Sequence, residues 1–306
     1  MGIGLNSAHL IARHLDKLGD LSDKKILTLG VQDCHFTYQE LLAFFRRHSI
    51  PHVSLSENDI ELTDGFKWLT EHERKPYKNC IHQRTFFRML GFTWANIYAI
   101  DGSAYEGADF VHDLNRPIDT ALEARFDLVF DGGTIEHVFS VKDSLFNLSR
   151  MCKLGGLVIN INPADNINHG FINLNAEIYR NFFGINGYDQ IDLKYISFPV
   201  HPEIAKRHYI EFATKSFQSL TPFYATLVYS VVKKLKDMPL TVPNQGLYDS
   251  LWDEAGDGYQ GAIGSSRKTL SSWVRASVRN IVDRHFLLCF IVRSYLTKAK
   301  GTKTLL

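Results

Sequence analysis

Acidic and histidine side chains follow an apolar segment of strand length near the middle of the chain. Residues 126–130 form this apolar run, and Asp131, Glu136 and His137 come soon after it. Carboxylates accept hydrogen bonds from hydroxyl and ammonium groups, and an imidazole exchanges protons near neutral pH. These residue types suit the binding of a polar ligand and the removal of a proton from it. Two glycines between them are expected to keep the entrance open, Gly132 and Gly133.

The surrounding residues predict a strand, a helix and a second strand. After the first strand, residues 140–151 carry apolar side chains at helical spacing. A Lys-Leu-Gly-Gly turn at 153–156 ends the helix, and residues 157–161 predict the second strand. The carboxyl ends of such strands meet at one edge, where open α/β sheets bind ligands. His169, in the loop after the second strand, is therefore expected at the same edge as the acidic group.

Other predicted strands also end in a glycine or an acidic residue. Residues 26–30 are strand-like and end at Gly30, and a second strand ends at Asp101. A weaker strand ends at Asp113. A carboxylate at a strand end can accept hydrogen bonds from a polar ligand, and a glycine lets the backbone approach a ligand closely.

The order of the elements predicts the fold class. Strands expected to begin near residues 26, 96, 109, 126 and 157 alternate with helices, which indicates a largely parallel sheet. Two later strands, 190–198 and 224–232, are close enough in sequence to form an antiparallel edge pair. We therefore predict an α/β fold with a Rossmann-like, doubly wound, seven-stranded mixed sheet.

The segments between the predicted strands include a loop, a capped helix and two insertions. Residues 31–36 are predicted as a loop, and Thr37 and Glu40 match a capping box that begins the first helix of the sheet domain. Residues from about 50 to 92 look like an insertion after that helix, and 201–220 are predicted as a helical or loop insertion.

The end of the chain differs from the rest in charge. Residues 1–238 are predicted as the sheet domain and 239–306 as a linker followed by a basic helical extension. Residues 267–306 hold nine lysines and arginines and one acidic residue, a net charge of +8. Apolar side chains recur there at helical spacing, which is typical of a basic amphipathic helix. Contact with a membrane surface and contact within a dimer both stay open for it.

Composition excludes several classes of protein. With 306 residues, 45% hydrophobic and 22% charged, the chain is globular. Its four scattered cysteines form no CxxC pair, which argues against a disulfide framework and a structural zinc site. We see neither a signal peptide nor a membrane span and expect a cytoplasmic protein, with peripheral contact at the inner membrane surface left open. Outside the basic segment the chain is acidic, so we expect no nucleic acid partner.

Taken together, residues 25–232 resemble the class I S-adenosylmethionine-dependent methyltransferases, in particular a bacterial subgroup that modifies small molecules and glycans. The resemblance implies S-adenosylmethionine as cofactor, with the Asp101 carboxylate accepting from both ribose hydroxyls, Asp113 accepting from the adenine amino group and Asp131 near the ammonium. The cofactor-binding residues that it implies are Gly30, Gln32, Asp101, Gly102, Ser103, Asp113, Leu114, Asp131, Gly132, Gly133 and Glu136. It also implies a small-molecule or saccharide acceptor, with oxygen as the favoured atom. The segments that carry it are 26–30, 99–102, 112–114, 126–138, 153–156 and 168–171.

His169 is the best candidate for a general base, and His137 is a second candidate. In-line methyl transfer depends mainly on the placement of donor and acceptor, so a base is needed chiefly for hydroxyl acceptors. We expect no metal site, because the Asp131 region lacks the further carboxylate and amide that oxygen-type ligand sets require and the histidines show no zinc spacing.

One departure from the family pattern leaves alternatives open. The usual glycine loop reads G-x-G-x-G, whereas Gly30 is followed by Val-Gln-Asp-Cys at 31–34. A cofactor-binding pseudoenzyme or interaction protein remains an alternative. A nucleotide-dependent oxidoreductase or epimerase is a further alternative, but it should show a glycine loop that cradles phosphate and a Tyr-x-x-x-Lys pair, and neither is convincing here.

Overall fold

The computed structural model describes residues 2–66, 69–166, 169–199, 210–213 and 224–244. Its centre is an eight-stranded mixed sheet with the order β5-β4-β1-β6-β7-β10-β8-β9. The strands of this sheet are β1 (Ile26–Leu29), β4 (Ile97–Asp101), β5 (Phe110–Val111), β6 (Phe126–Asp131), β7 (Cys152–Asp165), β8 (Tyr188–Pro199), β9 (Ile210–Ala213) and β10 (Tyr224–Lys234).

Strand directions confirm the predicted topology. The neighbours among β5, β4, β1, β6 and β7 are parallel. Strand β10 lies antiparallel between β7 and β8, as expected for the edge pair. Seven strands thus form the predicted mixed sheet. The short β9 pairs with β8 as an eighth strand, inside the segment 201–220 that we predicted as a helical or loop insertion.

Helices cover both faces of the sheet because its central strands are apolar on both sides. In β1, Ile26 packs into one core cluster, and Leu27 and Leu29 pack into the other. The helices are α1 (Leu5–Ala12), α2 (Tyr38–Arg47), α3 (Glu71–Arg74), α4 (Gln83–Met89), α5 (Val141–Met151) and α6 (Ala176–Ile185). One cluster holds side chains from α1, α2 and α4, and the other holds side chains from α5 and α6.

The helices that lead away from the sheet begin with side-chain caps. Helix α2 begins at the predicted capping box, in which the Thr37 hydroxyl accepts from the Glu40 amide and the Glu40 carboxylate accepts from the Thr37 amide. Ser140 caps α5 and Asn175 caps α6 in the same manner, with the side-chain oxygen accepting from backbone N–H groups. Each cap satisfies amides that the first helical turn leaves without partners.

The segment after Gly30 is a strand, so the predicted loop at 31–36 is wrong. Strand β2 (Asp33–Thr37) pairs with β3 (Cys80–His82) in a separate two-stranded antiparallel sheet. Its residues alternate between buried Cys34 and Phe36 and exposed His35, the two-residue period of a strand with one buried face.

The predicted insertion at 50–92 supplies β3 and α4 and is part of the main core. Phe86 and Phe87 are completely buried in the cluster on the α1 and α2 side of the sheet. Deleting this segment would therefore expose core side chains.

The described chain continues past the predicted boundary at 238 and stays attached to the domain. The Thr241 amide donates to Oδ1 of Asn186, and Nδ2 of Asn186 donates to the Thr241 carbonyl, at 2.8 and 2.9 Å. The basic segment 267–306 lies outside the described residues. Among the residues that are described, no helix combines the length and the apolar character needed to cross a membrane.

Candidate functional site

Gly30 and Asp101 meet where β1 and β4 end. The Gly30 amide donates to the carbonyl of Ile100 at 2.7 Å, and Gly30 has a φ of +73°, a conformation that side chains disfavour. A Cβ atom at Gly30 would lie 3.7 Å from Oδ2 of Asp101 and 3.0 Å from Oγ1 of Thr134. The bare glycine therefore leaves room directly beside the half-buried carboxylate.

The loops after β4 and β5 present further acceptors beside Asp101. The Ser103 amide donates to Oδ1 of Asp101 at 3.2 Å, so the exposed turn at 102–103 orients that carboxylate. Asp113 is exposed, and its Oδ1 accepts from the Asn115 amide and side chain at 3.0 and 2.8 Å. These hydrogen bonds lower the pKa of Asp113. The neighbouring Leu114 is buried under this loop.

Gln32 fills the space where the second glycine of the family loop is expected. Its side chain is only 3% exposed, and its Nε2 donates to the Leu29 carbonyl at 2.7 Å. A Cβ atom at Gly132 would lie 2.6 Å from Oε1 of Gln32 and 2.7 Å from the Phe130 ring. The structure thus gives Gly132 a packing role behind Gln32. The Oε1 atom of Gln32 is buried and has no hydrogen-bond partner.

Asp131 shapes the turn that follows β6. Its side chain is completely buried, and Oδ1 accepts from the amides of Thr134 and Ile135 at 2.9 and 3.4 Å. Gly133, within this turn, has a φ of +95°. Oγ1 of Thr134 then donates to the Leu29 carbonyl at 2.6 Å and ties the turn to the end of β1. The turn that follows β6 is therefore held against the end of β1, next to Gly30.

A second buried carboxylate, Glu136, belongs to the same hydrogen-bond network as Asp131. Nδ2 of Asn162 lies 2.7 Å from Oδ2 of Asp131 and 3.1 Å from Oε2 of Glu136. Oδ1 of Asn162 accepts from the Tyr179 hydroxyl at 2.6 Å. Burial, followed by the charge of Glu136, raises the pKa of Asp131 to about 7. Burial also raises the pKa of Glu136.

The two predicted catalytic histidines lie beside Oε1 of Glu136. Nε2 of His169 is 3.5 Å from Oε1 of Glu136, and Nε2 of His137 is 3.9 Å from the same atom. The imidazole rings meet edge to face with centroids 4.9 Å apart. Burial lowers the pKa of both histidines, which keeps the imidazoles neutral at physiological pH.

Gly170 brings the His169 loop onto the Glu136 turn. The Phe171 amide donates to the Glu136 carbonyl at 2.7 Å, and Gly170 has a φ of +74°. A Cβ atom at Gly170 would lie 2.6 Å from the Glu136 carbonyl oxygen, well inside van der Waals contact. This close approach places His169 beside a residue 33 positions earlier in the chain.

Two exposed aromatic side chains stand on the loops that carry the histidines. Phe139 is 79% exposed and Phe171 is 68% exposed, and their rings meet edge to face at 5.9 Å. Other aromatic residues of this region are buried in the core on the α5 and α6 side of the sheet. They are Tyr179, Phe182, Phe183 and Tyr188.

Sequence reasoning found the acids and the histidines but missed the side chains that join them. Thr134 and Asn162 were not predicted as site residues, and for Tyr179 the sequence suggested an acceptor-pocket or core position but no hydrogen bond to Asn162. The signal for Asn162 was an amide side chain directly after an apolar run of strand length, since an amide that is buried there needs a polar partner. Tyr179 lies at the start of α6 and its hydroxyl carries no local signal.

The strand order of the sheet decides the fold. An antiparallel strand, β10, lies between the last parallel strand and β8, next to a parallel half in which β1 is central. The chain has the class I methyltransferase fold. No family model matches its sequence, and no curated protein matches it.

Solved structures similar to this chain share little sequence with it. One comes from a complex between the Haloferax volcanii Trm112 methyltransferase activator and a methyltransferase. It is 14% identical over 76% of this chain and 92% of the other, with a TM-score of 0.36. Another is an S-adenosylmethionine-dependent methyltransferase from Thermotoga maritima, at 14% over 75% and 94%, with a TM-score of 0.32. A third is a branched-chain polyamine synthase from Thermus thermophilus, at 12% over 76% and 57%, with a TM-score of 0.32.

Proposed function

We propose that this protein is an S-adenosylmethionine-dependent methyltransferase. The observation that carries the proposal is the Asp101 carboxylate beside bare Gly30, where two parallel strands end. A ribose in that space can donate both hydroxyls to Asp101, in the crevice where open α/β sheets hold nucleotides. Asp113 and the backbone of Leu114 are then the proposed contacts of the adenine, with Gly102 and Ser103 at the ribose.

The donor set suits a cofactor without phosphate. A dinucleotide needs a glycine turn and free helix-terminal amides to bind its pyrophosphate. In this chain the Gln32 side chain occupies that space, and the Gln32 amide donates to Oε1 of Gln83 at 2.8 Å. The segment after it is strand β2, so no helix N-terminus faces the site there. This arrangement favours an adenosyl sulfonium over a nicotinamide dinucleotide.

The methionine end of the cofactor is proposed to lie over the turn between Gln32 and Glu136. Oε1 of Gln32 is buried and has no hydrogen-bond partner, so we propose that it places a partial negative charge beneath the ammonium group. Asp131 is fully buried, so we propose that it supports this end by holding the turn, together with Gly132 and Gly133, and by its nearby negative charge. Both effects favour a cationic ligand.

The acceptor is proposed to bind beside His169 and His137. In the reaction, a C–O bond forms while the sulfonium C–S bond breaks, and the hydroxyl proton passes to the imidazole of His169. Glu136 stabilises the resulting imidazolium because its Oε1 lies 3.5 Å from Nε2 of His169. The exposed rings of Phe139 and Phe171 offer apolar faces to a small-molecule or saccharide acceptor. A hydroxyl oxygen is the proposed methylation site.

Thermal unfolding of the full-length protein tests the cofactor. A ligand at about 100 times its dissociation constant adds about 2.7 kcal/mol to the free energy of unfolding. This raises the midpoint by several degrees in a domain of this size. We expect this shift with S-adenosylmethionine and S-adenosylhomocysteine and none with NAD. A shift with NAD alone contradicts the proposal, and so does the absence of a shift with both adenosyl compounds.

A further inference from the structure

Three donor atoms of different residues lie close together at the Glu136 turn. They are Oε1 of Glu136, Nε2 of His137 and Nε2 of His169, and all lie within 4.8 Å of one another. Ligands about 2.1 Å from a tetrahedral ion are roughly 3.4 Å apart. The Glu136 to His169 distance of 3.5 Å matches this spacing, and the Glu136 to His137 distance of 3.9 Å is close to it.

Two of these atoms are buried and have no hydrogen-bond partner. Oε1 of Glu136 and Nε2 of His169 are both in this state, and the Glu136 side chain is 0% exposed. Buried polar atoms are almost always paired, so two unpaired atoms of this kind 3.5 Å apart indicate that a further group binds to both. Within the described ranges, neither Glu136 nor Asp131 forms an ion pair with a lysine or an arginine. A cation at this point would offset the buried negative charge.

The surrounding residues hold the donor atoms in place. The second oxygen of Glu136 accepts from Asn162, which in turn accepts from Tyr179. The hydrogen bond from the Phe171 amide to the Glu136 carbonyl fixes the loop that carries His169. Outer partners of this kind orient the ligands of metal sites.

We propose that Glu136, His137 and His169 bind a divalent transition-metal ion, and that Zn²⁺ is the ion with the best fit. Two imidazoles and one carboxylate suit zinc and its neighbours, whereas magnesium and calcium prefer an all-oxygen set. Three protein ligands leave a fourth position open to an outside oxygen. This proposal departs from our sequence-based expectation of no metal. The sequence pattern hid the site because its third ligand comes from a distant loop.

The open position would face the acceptor side of the site, between the loops that carry Phe139 and Phe171. This part of the inference rests on the proposed function: the ion would bind the acceptor oxygen and make its hydroxyl more acidic. In the loaded protein, Nε2 of His169 would serve as a ligand, so the imidazole would accept the hydroxyl proton only in the metal-free state, and the more acidic hydroxyl of the loaded state would release its proton to solvent.

Metal content and affinity test the site directly. The untagged full-length protein is stripped with a chelator, dialysed against Zn²⁺ and analysed by mass spectrometry, and Zn²⁺ is titrated by calorimetry. We expect one equivalent of zinc. His169→Ala and His137→Ala should each weaken binding by about 100-fold or more, and Co²⁺ should give the visible absorption of a four-coordinate site.

Two controls keep the test decisive. His72→Ala, which removes an exposed histidine far along the chain in α3, should leave zinc content unchanged. His137 is 46% exposed, so its variant is expected to fold even if a His169 variant does not. Substoichiometric zinc in the native protein, or full zinc in both ligand variants, would overturn the proposal.

The same samples separate this inference from the proposed function. Binding of S-adenosylhomocysteine is measured on the stripped and the zinc-loaded protein. Zinc binding without adenosyl binding supports the metal site and contradicts the methyltransferase proposal. Adenosyl binding without zinc binding contradicts the metal site and supports the methyltransferase proposal.

Discussion

Asp131 and Glu136 accept hydrogen bonds from one nitrogen, Nδ2 of Asn162, at 2.7 and 3.1 Å. Two buried carboxylates that share one neutral side-chain donor resist ionising together, because each charge loses its hydration and repels the other. Ionisation of the second carboxylate therefore costs free energy in the folded protein when no cation is bound. Both the proposed sulfonium cofactor and the proposed metal ion would offset that cost.

Replacing Asp131 by Asn should change how stability depends on pH. The folded-state pKa of Asp131, about 7, lies above its unfolded value near 3.8, so the folded protein holds a proton that the unfolded chain releases. Ionisation of this group thus lowers the free energy of unfolding as pH rises from about 4 to about 7, by up to roughly 4 kcal/mol.

Urea unfolding of ligand-free wild type and Asp131→Asn at several pH values measures this effect. The difference between the two proteins should change across the window from pH 4 to 7, with the variant gaining relative stability at the higher pH. A constant difference would show that Asp131 is ionised in the folded protein throughout.

Replacing Asn162 by Ala should destabilise the protein more than the same change at Asn160. Asn162→Ala removes one hydrogen-bond partner from the Tyr179 hydroxyl and from each of the two buried carboxylates, at an expected cost of about 3 kcal/mol. Asn160 is equally buried on the same strand, but its side-chain atoms make no hydrogen bond. Its replacement should cost about 1 kcal/mol. Equal losses in urea unfolding would mean that the network adds nothing to stability.

The sequence predicted the sheet and the strand ends because these follow from local patterns. Apolar runs of strand length and the acids after them place Asp101, Asp113 and Asp131 correctly. The contact of Glu136 with His169 could not be predicted, since it depends on how closely the Gly170 loop approaches a turn far away in sequence. Strand β2 was missed because its pairing partner lies in the segment at 50–92, which sequence patterning left unplaced.

Replacing Gly170 by Ala should separate His169 from Glu136. The change is strained by the φ of +74° and by the contact of 2.6 Å that a Cβ atom would make with the Glu136 carbonyl oxygen. Gly155 is the matched control, because it has a φ of +78° and a Cβ atom there would have no neighbour within 4 Å. Both variants should lose about 1 kcal/mol of stability from the backbone conformation.

Only Gly170→Ala should also weaken zinc binding in calorimetry, by about 10-fold or more. Equal zinc affinity in the two glycine variants would show that the close approach at Gly170 does not position His169.

The central claim is that Asp101 binds the ribose of an adenosyl cofactor, and calorimetric titration of S-adenosylhomocysteine tests it most directly. Asp101→Ala should weaken binding by about 100-fold, since it removes charge-assisted hydrogen bonds to two hydroxyls. Asp119→Ala, which removes an exposed acid that caps a short turn elsewhere, should bind as the wild type does. Equal affinity in the Asp101 and Asp119 variants would contradict the account.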